Sequence, residues 1–187
     1  MKKWTLGIFG LFILLIVSVF VTANQQVQQQ KKQLSVKSIY TESIIIPPCA
    51  FKPSSQGTST HYSCYGTYLQ PGYAGKKFYA PLYLPHKAKV VSMEVRYTDE
   101  EDTASINVSL IRTPMYESPT EEQEMISFSS EGFESDWIVT TIKSVQFNSI
   151  DQNKYGYYLR VYFKFNGGNL NRTQLGMVKI NYIPASK

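Results

Sequence analysis

The sequence predicts an all-β domain, a single jelly-roll-like β-sandwich of about eight antiparallel strands. Apolar and polar residues alternate in short segments beyond residue 36, which is the period of a strand with one buried face. Fourteen tyrosines and ten phenylalanines suit half-buried strands better than helices. Proline and glycine turns separate the segments. A closed β-barrel is the alternative architecture.

The first 23 residues have the composition of a secretory signal peptide. Lys2 and Lys3 precede an apolar run, and small residues end that run at Ala23, a site where cleavage is expected. An uncleaved anchor also fits, because Trp4–Ala23 is a 20-residue stretch without charge and could cross a bilayer as a hydrophobic helix. A pilin-like leader ending at Gly7 is a third alternative. The signal and anchor readings both place the rest of the chain outside the cytoplasm.

We therefore expect three segments: a signal peptide or membrane anchor at 1–23, a Gln-rich linker or stalk at 24–40, and a β-sandwich domain at 41–187. The predicted location is secreted or cell-surface, with membrane contact only through the first segment. The net charge of +5 is small, and the basic residues form no continuous stripe. The chain is therefore not expected to bind nucleic acid.

The two cysteines, Cys49 and Cys64, are predicted to form a disulfide, because an even pair in an exported chain is typical of one. The loop that they close would contribute about 3 kcal/mol to stability. Two free thiols remain an alternative. A zinc site is disfavoured because His61 is the only nearby imidazole.

The first predicted strands end at prolines, which lack the N–H that a sheet ladder needs. Ser35–Ile46 ends at Pro47-Pro48, and it could also pair with the sheet edge of a neighbouring copy. His61–Leu69 and Lys77–Leu84 follow, each stopping at a proline-containing turn. Val91–Tyr97 is the first segment with strict alternation.

Two hairpins are predicted from the remaining segments. Val91–Tyr97 and Ser105–Leu110 flank a short acidic connection, which indicates antiparallel neighbours. Tyr157–Phe165 and Gln174–Ile183 flank Asn166-Gly167-Gly168-Asn169, residues that tolerate positive φ. Two further strands lie between the hairpins, a weak one at Glu124–Ser129 and one at Trp137–Phe147, with Trp137 expected in the core.

Several segments together resemble a β-sandwich domain of uncharacterised secreted bacterial proteins, over roughly residues 44–183. One is the opening Ile-Pro-Ala-x-x-Phe-x-Pro, from which Pro48 departs because the family has alanine there. The others are Phe78–Pro85, Val90–Met93, Ile106–Arg112, Tyr157–Val161 (Tyr-Tyr-Leu-Arg-Val) and Gly176–Tyr182 (Gly-x-Val-x-Ile-x-Tyr). The resemblance implies a fold and an extracellular setting, and it brings no catalytic residues.

The sequence contains no motif of a known catalytic site. A Gly-x-Ser-x-Gly elbow, a His-Glu-x-x-His zinc motif and a phosphate-binding glycine loop are all missing. His61 and His86 fall in loop or turn positions. We therefore predict no enzymatic activity and no cofactor, and keep a secreted hydrolase with paired carboxylates as a minor alternative.

Two groups of residues are candidates for binding. Asp99, Glu100, Glu101 and Asp102 could offer oxygen ligands to a metal, although the glycine and Asx spacing of a calcium loop is missing and a solvated hairpin tip is favoured. Surface tyrosines could stack on sugar rings or pack within the sheets, with these as the candidates: Tyr62, Tyr65, Tyr68 and Tyr79.

The leading functional prediction is a non-enzymatic extracytoplasmic module that has a structural role or binds proteins, including copies of itself. The alternative is a carbohydrate-binding module that binds polysaccharide through its surface tyrosines.

Overall fold

The computed structural model describes residues 40–54, 62–64, 66–72, 76–116, 121–132, 134–165 and 172–185. The expected N-terminal helix, the first segment and nearly all of the second lie outside the described residues, as do His61 and Tyr65. Within the described part, no helix has the length and apolar character needed to cross a membrane.

The described residues form eleven strands in two antiparallel sheets. The all-β prediction is therefore confirmed, and the strands do not form the alternative closed barrel. The six-stranded sheet has the order β3-β4-β11-β6-β9, with β1 also paired to β11, and the five-stranded sheet has the order β2-β5-β10-β7-β8. The strands are β1 (Glu42–Ile46), β2 (Lys52–Pro53), β3 (Tyr62–Cys64), β4 (Leu69–Pro71), β5 (Lys76–Pro81), β6 (Lys89–Asp99), β7 (Ala104–Pro114), β8 (Gln123–Ser129), β9 (Glu134–Ile142), β10 (Tyr155–Phe165) and β11 (Thr173–Ile183).

Alternate side chains of both sheets meet in one hydrophobic core. Phe78 and Phe163 pack edge-to-face within it, with ring centroids 5.8 Å apart. Tyr97 of the six-stranded sheet packs against Phe128 of the five-stranded sheet, with ring centroids 4.9 Å apart. The side chains predicted to face inward on β6, β10 and β11 are mostly buried, which confirms the alternation. The two sheets therefore pack face to face as a sandwich.

Both predicted hairpins are wrong. β6 lies in the six-stranded sheet and β7 in the five-stranded sheet, and β10 and β11 are likewise divided between the sheets. Each connection therefore crosses from one sheet to the other. The alternation could not reveal this, because a strand buries the same face whether its successor pairs beside it or packs opposite it.

The N-terminal strand and the cysteines lie on the same side of the sandwich. Within the predicted segment Ser35–Ile46, only β1 is described as a strand, and it pairs with β11 of its own chain. A short 3-10 helix (Pro48–Ala50) follows and carries Cys49. Cys49 and Cys64 are joined with a Cα–Cα distance of 5.5 Å, as the sequence predicted. This link ties the connection after β1 to β3.

Trp137 was expected in the core and is not there. Its side chain is 37% exposed on the outer face of the six-stranded sheet, near the start of β9. β9 also ends at Ile142, earlier than predicted, and the chain then leaves the sheet. Residue composition alone favoured burial because tryptophan is large and apolar. Its place in β9 instead puts the side chain on the outer face, because successive residues of a strand face opposite sides of the sheet.

Candidate functional site

The outer face of the five-stranded sheet carries a regular grid of polar and aromatic side chains, which we call the groove face. The strand register places Tyr79 opposite Arg160, Arg160 opposite Ser109, and Ser109 opposite Ser127. The neighbouring row crosses the same four strands, β5, β10, β7 and β8, and contains Lys77, Tyr162, Asn107 and Ser129 in that order. Tyr158 and Glu124 complete the face. The rigid sheet therefore fixes the spacing of these side chains.

Tyr79 and Tyr158 form an aromatic pair on this face. Their ring centroids are 5.7 Å apart, with the ring planes inclined by 60°. Each side chain is half-buried, so part of each ring is open to solvent. The Tyr158 hydroxyl donates a hydrogen bond to Glu122 Oε1 at 2.6 Å. Burial, followed by this hydrogen bond, raises the pKa of Tyr158 well above its usual value, so its hydroxyl remains a donor at physiological pH.

A network of charged groups holds the centre of the groove face. Arg160 Nη1 donates to Glu122 Oε2 at 2.5 Å, and Arg160 Nη2 lies 3.9 Å from Glu124 Oε2. Ser109 Oγ donates to Glu124 Oε2 at 2.8 Å. The two carboxylates therefore share one guanidinium, which fixes the Arg160 side chain in place.

A groove of about 620 Å³ runs across this face. Its walls carry one apolar ring, Phe128, among side chains that donate or accept hydrogen bonds: Lys77, Asn107, Ser109, Glu124, Ser127, Ser129, Arg160 and Tyr162. By register the Tyr79–Tyr158 pair lies directly beside it, because Arg160 neighbours both tyrosines. The groove is the size of a small-ligand site and combines aromatic surface with positioned polar groups.

The structure does not bring the predicted tyrosines together. Tyr79 lies on the groove face, whereas Tyr68 precedes β4 of the six-stranded sheet. Tyr62 is described only through its backbone, in β3, and Tyr65 lies outside the described residues. Sequence reasoning did not select Tyr158, Arg160 and Tyr162 as site residues. The signal for them was present, because alternation in β10 places all three on the face opposite the core.

Tyr68 belongs to a separate aromatic contact on the outer face of the six-stranded sheet. Its ring centroid is 6.3 Å from that of Trp137, and the Arg96 guanidinium lies 4.7 Å from the Trp137 ring centroid. Gly176 makes room for this arrangement. A Cβ there would come within 3.0 Å of both Trp137 Cζ3 and the Arg96 carbonyl oxygen. Trp137 is therefore held against the sheet at a defined position.

The acidic segment 99–102 is not the tip of a hairpin, because β6 and β7 lie in different sheets, and its first carboxylate is not solvated. Asp99 is fully buried, where it accepts hydrogen bonds from Ser130 Oγ and from Thr173 Oγ1, the latter at 3.2 Å. Burial raises the pKa of Asp99, although these hydrogen bonds and one from the Glu101 backbone oppose the rise. Among the described residues, no group of three or more histidine, cysteine, aspartate or glutamate side chains could hold a metal. Asp99 instead joins the ends of three strands.

His86 lies in a turn after β5. Its Nδ1 accepts a hydrogen bond from the Gln152 backbone N–H at 3.3 Å and lies 3.9 Å from Asp151 Oδ1. These contacts fasten the turn to the segment before β10.

No family model matches the chain, and no curated protein matches it. Several solved structures are similar in fold. The xylan-binding module CBM15 has 13% sequence identity and a TM-score of 0.48, over 79% of this chain and 100% of that one. The CBM36-1 domain of a multidomain xylanase from the hindgut metagenome of Trinervitermes trinervoides has 13% identity and a TM-score of 0.46, over 78% of this chain and 100% of that one. The K2 cleaved adhesin domain of Lys-gingipain has 9% identity and a TM-score of 0.42, over 74% and 99%.

Proposed function

We propose that this chain is a non-enzymatic, extracytoplasmic carbohydrate-binding module, and that a polysaccharide binds in the groove of the five-stranded sheet. The observation that carries the proposal is the Tyr79–Tyr158 pair, which lies beside a groove of about 620 Å³ lined by hydrogen-bonding side chains. We therefore favour a polysaccharide ligand over the protein partner that was the leading prediction from the sequence. The extracytoplasmic location rests on the N-terminal segment and the disulfide.

The chemistry of the groove suits a sugar polymer. A pyranose ring has C–H faces that pack on aromatic rings and hydroxyl edges that need both donors and acceptors. Tyr79 and Tyr158 offer the aromatic surface. Arg160, Glu124 and Asn107 offer donors and acceptors within the same groove. Because the groove lies on the outer face of the sheet, it would accept a polymer chain rather than only its end.

The existing side-chain contacts would lower the cost of binding. Glu122 already holds Arg160 in position and Ser109 holds Glu124, so a ligand would not need to order these long side chains. The two tyrosine rings likewise restrict one another. A site prepared in this way loses little conformational entropy when it binds.

The test is binding of the full chain to a broad panel of soluble polysaccharides, by affinity gel electrophoresis and then by calorimetry on those that retard it. Tyr79→Ala and Tyr158→Ala should each weaken binding about tenfold, because removing one stacking ring costs about 1.4 kcal/mol. Tyr40→Ala is the matched control, since Tyr40 is an exposed tyrosine beside β1 of the other sheet. The proposal fails if no polysaccharide binds, or if the two groove variants bind as tightly as the control.

A further inference from the structure

A lysine lies at the β2–β5 end of each of the two rows on the groove face. The strand register places Lys52 of β2 opposite Tyr79, which is two residues along β5 from Lys77. Both lysine side chains are exposed. Their sequence neighbours Phe51 and Phe78 are buried in the core, so alternation directs the two lysines to the outer face.

The two lysines are diagonal neighbours across a fixed pair of strands. Positions related in this way lie about 7–8 Å apart, so two flexible ammonium groups can reach one shared point. The Ser54 backbone N–H donates to the Lys77 carbonyl oxygen at 3.0 Å, which continues the pairing of β2 with β5. Cys49, just before β2, is tied to Cys64 by the disulfide. The backbone that carries both lysines is therefore held in place.

The charges of these two lysines are unbalanced, in contrast with the charge of Arg160. The Arg160 guanidinium is shared by the carboxylates of Glu122 and Glu124. Among the described residues, no carboxylate lies within ion-pairing distance of Lys52 or Lys77. The groove face therefore has one basic end, at β2 and β5, and one end near β8 where the carboxylates already contact a cation.

A third lysine of the groove face does not belong to this basic end. Lys164 follows Tyr162 on the same side of β10, but it shares a separate cavity with Asp102 and Glu131. The negative charges of these two carboxylates oppose the positive charge of the Lys164 ammonium. The basic end consequently consists of Lys52 and Lys77.

We propose that the polysaccharide bound by this chain is anionic, and that its carboxylate or sulfate groups pair with Lys52 and Lys77. The inference rests on the proposed function, because it names the class of glycan that the same groove would hold. Tyr79 lies opposite Lys52 and packs against Tyr158. A sugar ring stacked on this tyrosine pair would therefore place an acidic ring substituent beside the ammonium groups. Asn107 and the serines further along the rows would contact uncharged parts of the polymer.

The test compares polysaccharides that share a backbone and differ in charge, by isothermal titration calorimetry with the full chain. One pair is polygalacturonate and its methyl ester, which tests a carboxylate, and the other is dextran sulfate and dextran, which tests a sulfate. The charged member of at least one pair should bind at least about tenfold more tightly, and the responding pair identifies the acidic group. Raising the salt from about 0.01 M to about 1 M shortens the screening length from about 30 Å to about 3 Å, so it should remove most of this difference.

Two lysine variants connect the effect to the basic end. Lys52→Gln and Lys77→Gln should each weaken binding of the charged member about threefold, which is the range of an exposed ion pair, and weaken binding of the neutral member less. The matched control is Lys89→Gln, because Lys89 is an exposed lysine of β6 in the other sheet and should not change either affinity.

Equal binding of the charged and neutral members would overturn the inference, and so would lysine variants that bind the charged member as tightly as the control does. Single-stranded DNA that binds as tightly as the best charged polysaccharide would also overturn it, because charge alone would then explain the binding. If neutral polysaccharides still bind and depend on Tyr79 and Tyr158, the proposed function stands and only this inference fails. If no polysaccharide of either kind binds, both fail.

Discussion

Replacing Asp99 should destabilise the domain more than any other change in the acidic segment. Asp99→Ala removes the acceptor of three donors: the Ser130 and Thr173 hydroxyls and the Glu101 backbone N–H. Ser130 and Thr173 are buried, so water cannot easily replace the lost partner. An unsatisfied buried donor costs about 1 kcal/mol or more. The expected loss is therefore about 3 kcal/mol of unfolding free energy.

The pH dependence of Asp99 has a definite sign. The pKa of Asp99 in the folded chain is raised above the ordinary 3.8, so the folded state keeps a proton that the unfolded state has released. Its contribution to stability is fully present below pH 3.8 and is lost as the pH rises through the folded pKa. The loss has a limiting slope of about 1.4 kcal/mol per pH unit. Asp99→Asn cannot ionise, so its stability should lack this pH-dependent loss.

The assay is urea unfolding, followed by tryptophan fluorescence or circular dichroism, of the native chain and each variant between pH 3 and pH 7. The difference in unfolding free energy between native chain and Asp99→Asn should fall as the pH rises. Asp102→Ala is the control, because Asp102 is exposed in the same connection and should change stability by less than about 0.5 kcal/mol. A difference that stays flat or rises with pH would refute the reasoning, as would equal losses in Asp99→Ala and Asp102→Ala.

Two further predictions concern the core and the disulfide. Phe163→Ala should lower the free energy of unfolding by about 3–5 kcal/mol, because Phe163 is fully buried against Phe78. Tyr83→Ala is the control, since Tyr83 is exposed and should tolerate the change. Thermal unfolding of both variants would show whether only the first lowers Tm. Cys64→Ser should cost about 3 kcal/mol, the chain-entropy estimate for a 15-residue separation. A reducing agent should then destabilise the native chain by a similar amount and leave the variant unchanged in urea unfolding.

The position of the binding residues was only partly predictable. Alternation in β10 put Tyr158, Arg160 and Tyr162 on the face opposite the core, but nothing local indicated that Tyr79 would lie beside them. That contact depends on β5 pairing with β10, whose paired residues are about 80 positions apart in the chain. The density of tyrosines before β5 drew attention instead to Tyr68, which the fold places on the other sheet.

The sequence by itself determined most of the strand segments, the buried face of most of them and the Cys49–Cys64 link, because these follow from side-chain periodicity and from cysteine number. Tertiary structure alone decided which strands pair. The segments joined by the two short connections after β6 and β10 lie in different sheets, because pairing between distant strands and burial of Asp99 outweigh local turn preference. The groove face follows from that pairing.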